Sequence, residues 1–132
     1  LTLREGKDVA LVGCGLLVAV ALEAAEALAK DGIQARVIDC ASIKPIDAET
    51  LETAARECGA VVTLEEHSVL GGLGGAVCEV LAERFPVPLR RLGLDDVFGQ
   101  SGGADELMTH YGLTAERAAE LARAVISAKT AG

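Results

Sequence analysis

Two carboxylates and an imidazole stand side by side near the middle of the chain, at Glu65, Glu66 and His67. This Glu-Glu-His cluster could perform acid–base chemistry, because a neighbouring carboxylate raises the pKa of an imidazole. The cluster follows a run of β-branched residues and is predicted to lie at the carboxyl end of a buried central strand, where the strand opens into a loop and an open parallel sheet meets ligands or partners. It could also make polar contacts with another domain or subunit. Adjacent strand residues point to opposite faces, so Glu65 and Glu66 can serve one substrate only if the strand has already ended. Because no second histidine accompanies the cluster, we prefer the interpretation as a polar docking surface.

A glycine-rich segment follows, with Gly71 and Gly72 before Leu73 and with Gly74 and Gly75 after it. Backbone N–H groups at a helix start bind phosphate readily, so this segment could hold an anion. It lacks the Lys-Ser/Thr signature of a phosphate-binding loop, and glycine also permits close backbone packing because it has no Cβ. We prefer structural packing and keep anion binding as the alternative. These glycines and the Glu-Glu-His cluster are the candidates for residues that border an active site or an interface.

A second glycine pair, Gly13 and Gly15, ends an apolar strand and opens a helix. This arrangement is typical of dinucleotide-binding turns, and Asp39 ends the next strand where an acid that binds ribose would lie. The third glycine of that fingerprint is replaced by Val18, whose branched side chain obstructs close packing of the helix on the strand. The pattern therefore favours a tight structural turn over a nucleotide site.

The elements that position these residues alternate between strands and helices. Apolar runs bounded by Gly or Pro predict strands, and apolar residues spaced three and four apart predict helices. Asp47 and Thr114 are predicted N-caps, and Gly32 and Gly59 are predicted helix ends. The alternation favours a mostly parallel three-layer α/β/α sandwich and one domain over residues 1–132. The predicted elements are an edge strand in residues 1–6, a strand at 8–15, a helix at 16–30, a strand at 34–43, a helix at 47–58, a central strand from 60, a helix at 74–84, a strand at 89–94, a short helix at 104–111 and a last helix after 114.

The composition of the chain limits which partners and which kinds of site are expected. The chain has 132 residues, of which 51% are hydrophobic and 2% aromatic, so its core must be built from aliphatic side chains. The net charge of -8 argues against nucleic acid as a partner, because phosphate binding needs a basic surface. No apolar run is long enough for a bilayer, so no membrane partner is expected. The cysteines lack C-x-x-C spacing, which favours buried thiols in a reducing cytoplasm over a zinc site or a disulfide framework; they are Cys14, Cys40, Cys58 and Cys78.

Several segments, taken in order, resemble the C-terminal domain of transketolases, and most of all the C-terminal subunit of split transketolases. The resembling segments are residues 8–15, 38–47, 64–68, 71–74, 96–102, 106–107 and 111–114. Related thiamine-dependent enzymes share this domain, namely 1-deoxyxylulose-5-phosphate synthase and the β-subunits of 2-oxo-acid dehydrogenases. The Leu64-Glu65-Glu66-His67-Ser68 form is more similar to a transketolase. The resemblance implies a five-stranded mixed sheet in the order 1-3-2-4-5, whose first strand is antiparallel and lies beside the strand that begins at Gln34.

The resemblance also implies a division of labour. In such enzymes thiamine diphosphate and Mg²⁺ lie between two other domains, held by a Gly-Asp-Gly motif and an asparagine. This chain contains no Gly-Asp-Gly and no asparagine, so we transfer no catalytic, cofactor-binding or metal-binding residue to it. The complete enzyme is expected to transfer two-carbon ketol units between sugar phosphates in the pentose phosphate pathway, as a homodimer or heterotetramer with N-terminal thiamine-binding domains. The first residue, Leu1, suggests a piece of a longer protein. A stand-alone nucleotide- or anion-binding module remains the rival hypothesis.

Overall fold

A computed structural model of the chain describes residues 1–40, 47–68, 72–94 and 114–131. Within these ranges, five strands alternate with four helices. The elements are β1 (Thr2–Arg4), β2 (Val9–Gly13), α1 (Leu17–Ala29), β3 (Ala35–Asp39), α2 (Ala48–Cys58), β4 (Val61–Ser68), α3 (Leu73–Arg84), β5 (Leu89–Leu94) and α4 (Ala115–Ala131).

The strands form one sheet in the order β1-β3-β2-β4-β5. β1 runs antiparallel to β3, and the other neighbours are parallel. In the middle of the sheet, Leu11 of β2 lies opposite Val37 of β3 and Val62 of β4. All five residues of β2 are buried, as expected of a parallel strand that is covered on both faces. The strand order and the antiparallel first strand are therefore confirmed.

Alternate residues of β2 face two separate apolar clusters. Val9 and Leu11 pack with α1 and α4 on one face of the sheet. Ala10 and Val12 pack with α2 and α3 on the other face. Burial of a valine or leucine side chain stabilises a fold by roughly 1.5–3 kcal/mol, so these two layers supply most of the driving force for folding. In the ranges that the structure describes, none of the helices combines the length and apolar character needed to cross a bilayer.

The predicted helix caps are confirmed. The Asp47 carboxylate accepts a hydrogen bond from the Thr50 backbone N–H at 3.1 Å, and the Thr114 hydroxyl accepts one from the Arg117 N–H at 3.2 Å. Gly59 ends α2 with a φ of 73°, in the left-handed region that glycine adopts without strain. The residues whose spacing predicts the inner faces of α2 and α4 are buried, namely Leu51, Ala54, Ala55, Cys58, Ala118, Leu121, Ala122 and Val125.

β3 ends at Asp39, so Cys40 is not part of the strand that the sequence predicts over residues 34–43; residues 41–43 lie outside the described residues. The Cys40 N–H still donates to the Gly13 carbonyl at 2.9 Å, but β2 then leaves the sheet through a turn in which Gly15 has a φ of 63°. β3 therefore loses its neighbour at this point. The predicted short helix at residues 104–111 and the loop before it lie outside the described residues.

Candidate functional site

The Glu-Glu-His cluster lies within β4 and not after it, because the strand continues to Ser68. Glu65, Glu66 and His67 therefore occupy strand positions, which corrects the expectation that the strand opens into a loop at the cluster. The register against β5 shifts here: Leu64 lies opposite Leu92, whereas Ser68 lies opposite Leu94. The cluster is still at the carboxyl end of a central strand, as predicted. The side chains of Glu66 and His67, and Gly71 as a whole, lie outside the described residues.

The Glu65 side chain points into the protein and holds the start of α3. Its relative exposure is 2%. Its Oε2 accepts a hydrogen bond from the Leu73 N–H at 2.6 Å, and its Oε1 accepts one from the Gly74 N–H at 3.3 Å. Helices begin with N–H groups that lack partners in the helix, and their positive end favours a carboxylate. This burial differs from the expectation of an outward docking carboxylate. That Glu65 borders a partner stays a prediction.

Gly72 is required by the close approach of this carboxylate. It is the N-cap of α3 and therefore offers no side chain to satisfy the helix start. A Cβ at Gly72 would lie 2.6 Å from Oε2, 2.7 Å from Oε1 and 2.9 Å from Cδ of Glu65. The absence of a side chain at Gly72 therefore leaves room for the Glu65 carboxylate, which caps α3 in its place. The preference for structural packing is supported at this glycine.

The two glycines inside α3 differ from each other. A Cβ at Gly74 would lie 2.4 Å from Cδ of Arg91 and 3.1 Å from Oγ1 of Thr63. A Cβ at Gly75 would meet no atom within 4 Å. The sequence pattern gives all four glycines of the segment the same weight, whereas the structure assigns close contacts to Gly72 and Gly74 and none to Gly75.

The first N–H groups of α3 are therefore occupied and face a negative charge. An anion at this helix start would have to displace the Glu65 carboxylate from the Leu73 and Gly74 N–H groups. Displacement would leave a buried charge without its hydrogen bonds, which is strongly unfavourable. In the part of the chain that the structure describes, no group of three or more His, Cys, Asp or Glu residues could hold a metal ion. This geometry supports a structural role for the contact between Glu65 and the start of α3.

The turn after β2 is also tightly packed. A Cβ at Gly13 would lie 3.2 Å from Cα of Val18, so the end of β2 lies directly against the first turn of α1. The Leu17 N–H donates to the Cys14 carbonyl and the Val18 N–H to the Gly15 carbonyl, both at 3.3 Å. These bonds confirm the predicted tight turn, in which Val18 marks the contact between helix and strand. The Leu17 and Val18 N–H groups at the start of α1 are therefore engaged within the chain.

The chain is similar in sequence and in fold to known proteins. The family model described as "Transketolase, C-terminal domain" matches residues 1–118. The chain is 48% identical over 127 residues to the 6-deoxy-6-sulfo-D-fructose transketolase subunit SqwH of Clostridium sp. (strain MSTE9), covering 96% of this chain and 39% of that protein. It is 42% identical over 127 residues to 1-deoxy-D-xylulose-5-phosphate synthase of Heliobacterium modesticaldum, covering 96% of this chain and 20% of that enzyme.

A solved structure agrees with both relatives. The structure titled "Split gene transketolase, inactive beta4 tetramer" superposes with a TM-score of 0.93 at 51% identity, covering 98% of this chain and 42% of that chain. The chain thus spans about two fifths or less of the length of the proteins that it matches.

Proposed function

Because the chain belongs to the transketolase C-terminal domain family, we propose that it is the C-terminal part of a split-type transketolase that transfers two-carbon ketol units between sugar phosphates. The proposed role of this part is to assemble the enzyme and to border its active-site region, not to perform the chemistry. The relatives that support ketol transfer are the SqwH subunit and the split-gene transketolase, at 48% and 51% identity.

The contact between Glu65 and the start of α3 is the observation that carries the proposed role. Glu65 belongs to the segment whose residue types most suggest acid–base chemistry, but its side chain is buried and caps α3. Both oxygens of this carboxylate accept hydrogen bonds from backbone N–H groups at the start of α3, so the side chain is directed into the protein and away from a substrate at the surface. The segment therefore fixes the shape of the sheet edge that a partner would meet.

Thiamine diphosphate and Mg²⁺, which the family implies, do not fit the described residues. A diphosphate is held by helix-start N–H groups that lack other partners, whereas the Leu17 and Val18 N–H groups of α1 and the Leu73 and Gly74 N–H groups of α3 already bond within the chain. Mg²⁺ needs clustered oxygen ligands, and Glu65, the carboxylate at the start of α3, is buried as a helix cap. We therefore assign cofactor and metal to the thiamine-binding region of the complete enzyme and derive no step through them here.

The proposed partner is that thiamine-binding region, in a homodimer or a heterotetramer. Leu16, which follows the turn at the end of β2, supports a contact at the carboxyl edge of the sheet because this large apolar side chain is 51% exposed. The Cys14 N–H of the same turn donates to the Leu64 carbonyl, so the turn lies beside the Glu-Glu-His cluster. The edge therefore combines an exposed apolar residue with neighbouring acidic positions.

Two other functions are weaker. A stand-alone nucleotide or anion module would use the glycine segments, where the Leu17, Val18, Leu73 and Gly74 N–H groups are already bonded. The C-terminal domain of a 1-deoxy-D-xylulose-5-phosphate synthase is supported by the relative at 42% identity. We place it second because the 6-deoxy-6-sulfo-D-fructose transketolase subunit is more similar, at 48%. Formation of 1-deoxy-D-xylulose 5-phosphate in place of ketol transfer by the complete enzyme would reverse this order.

The test uses the complete enzyme, formed with the thiamine-binding region, in which His67 is replaced by alanine. If His67 belongs to a docking edge, His67→Ala should weaken assembly or raise the thiamine diphosphate concentration needed for activity, with turnover at saturating cofactor nearly unchanged. Glu79→Ala, on the exposed side of α3, is the control and should change neither quantity. A loss of about a hundredfold or more in turnover of the fully assembled, saturated enzyme would instead indicate a lost general acid or base and contradict the proposal.

A further inference from the structure

Cys14 and Cys40 are separated by 26 residues in the sequence but are neighbours in the sheet. Gly13 of β2 lies in register with Asp39 of β3, and each cysteine is the next residue along its strand. The Cys40 N–H donates to the Gly13 carbonyl at 2.9 Å, so one hydrogen bond of the parallel pattern extends beyond the last registered pair. Neighbouring strands are roughly 4.8 Å apart, and disulfides join Cα atoms that are about 4.4–6.8 Å apart.

The two thiols also lie on the same face of the sheet. Cys40 belongs to the apolar cluster on the side of α2 and α3, and Cys14 packs against that cluster. Alternation along the strands agrees, because Val12 and Ile38, two residues before them, belong to the same cluster. The two thiols thus share one face at adjoining strand ends, the arrangement that a disulfide between neighbouring strands requires.

Their surroundings give the two cysteines different roles. Cys40 is buried, and burial raises the pKa of its thiol, which the charge of Cys14 raises further. Cys14 is half-buried at the turn, so a small reagent can reach it. Thiol–disulfide exchange begins at the accessible thiolate, and a neighbouring thiol then resolves the mixed disulfide.

We propose that Cys14 and Cys40 form a thiol-modification site, at which Cys14 exchanges with a low-molecular-weight disulfide such as oxidised glutathione and Cys40 closes an intramolecular disulfide. The Cys14 thiolate attacks one sulfur of oxidised glutathione, forms a mixed disulfide and releases one glutathione thiolate, which takes up a proton. The Cys40 thiolate then attacks the Cys14 sulfur and releases the second glutathione. Two protein thiols are oxidised, and one glutathione disulfide is reduced to two thiols.

The bridge would lie beside the candidate site without using its residues. The Cys14 N–H donates to the carbonyl of Leu64, the residue before Glu65. A disulfide would join the turn after β2 to the end of β3. The other two cysteines are placed differently: Cys58 is buried at the end of α2 with its Sγ 3.5 Å from the Gly6 carbonyl oxygen, and Cys78 lies in α3.

The experiment incubates the folded chain with oxidised glutathione and then counts thiols after denaturation, with peptide mass spectrometry to identify the linkage. The count should fall from four to two, with Cys14 joined to Cys40. Cys40→Ser should instead retain one glutathione on Cys14, and Cys14→Ser should leave Cys40 as a thiol. Cys78→Ser is the matched control and should still form the bridge. Persistence of all four thiols, a bridge between another pair, or glutathione on Cys78 alone would overturn the proposal. Circular dichroism of each variant verifies that the chain is folded before oxidation.

Discussion

Replacement of Glu65 by alanine should destabilise the protein by about 3 kcal/mol, because it leaves the first N–H groups of α3 without an acceptor. Loss of a helix cap alone costs about 1 kcal/mol, and each buried polar group without a partner adds about 1–3 kcal/mol. The Gly72 N-cap has no side chain that could substitute for the carboxylate. A loss of this size is a large fraction of the total stability of a typical domain, which is roughly 5–15 kcal/mol.

Urea denaturation of Glu65→Ala and Gly75→Ala measures this effect with a control from the same segment. Gly75→Ala adds a Cβ in open space within α3, so it should leave the free energy of unfolding unchanged or raise it by up to about 1 kcal/mol through better helix propensity. Glu65→Gln keeps the shape but loses the charge, and we expect an intermediate loss. Equal stability of Glu65→Ala and the wild type would show that the buried cap is not needed for the fold.

Gly6→Ala should destabilise the protein by about 3 kcal/mol or more, because the added Cβ would meet backbone atoms that cannot rotate away. It would lie 2.4 Å from the carbonyl carbon of Ala35, 2.6 Å from the carbonyl oxygen of Gln34 and 2.7 Å from that of Ala35. Overpacking of this kind costs about 1–3 kcal/mol even where side chains can adjust.

The Gly6 carbonyl also anchors a buried charge. It accepts a hydrogen bond from Nε of Arg36 at 3.1 Å, and Nη2 of Arg36 donates to Glu57 at 2.6 Å. Burial alone would lower the pKa of Arg36, but the bond to Glu57 and the nearby negative charges outweigh it, so the pKa is raised. Displacement of the Gly6 backbone would therefore weaken the contacts of Arg36, a charged residue whose relative exposure is 8%.

Gly32→Ala is the matched control for Gly6→Ala. Gly32 has a φ of 78° and open space around its Cβ position, so alanine there is strained by its backbone conformation alone. That strain costs roughly 1–2 kcal/mol. Thermal or urea unfolding should rank wild type above Gly32→Ala and Gly32→Ala above Gly6→Ala. The reverse order of the two variants would contradict the contacts described for Gly6.

Local signals in the sequence predicted the elements well. The Asp47 and Thr114 caps and the buried face of α2 depend on residues within one or two helical turns of each other, so spacing alone reveals them. The resemblance to a family supplied the strand order, which local spacing does not contain. Cys40 lies beyond the end of β3, which local spacing did not predict because the end depends on where the neighbouring strand leaves the sheet; residues 41–43 lie outside the described residues.

The Glu65 cap had no comparable local signal. Alternation predicts which face a strand residue occupies but not how deeply its side chain is buried. Its partners, Leu73 and Gly74, follow eight and nine residues later, beyond the spacing of any capping box. The pairing of Cys14 with Cys40 was hidden for the same reason, because the register of two strands joins them across a whole helix. Contacts of this kind require the sheet order before they can be predicted.

We expect this chain to contribute an assembly surface to the complete enzyme and to hold no cofactor of its own. Isothermal titration calorimetry of the chain with thiamine diphosphate in the presence of Mg²⁺ tests it most directly, with the complete enzyme as the positive control. We predict binding heat for the complete enzyme and none for the chain alone. A micromolar site on the chain alone would correspond to about 8 kcal/mol of binding free energy. Because the Leu17, Val18, Leu73 and Gly74 N–H groups at the described helix starts are already bonded, a site of that strength would contradict the account.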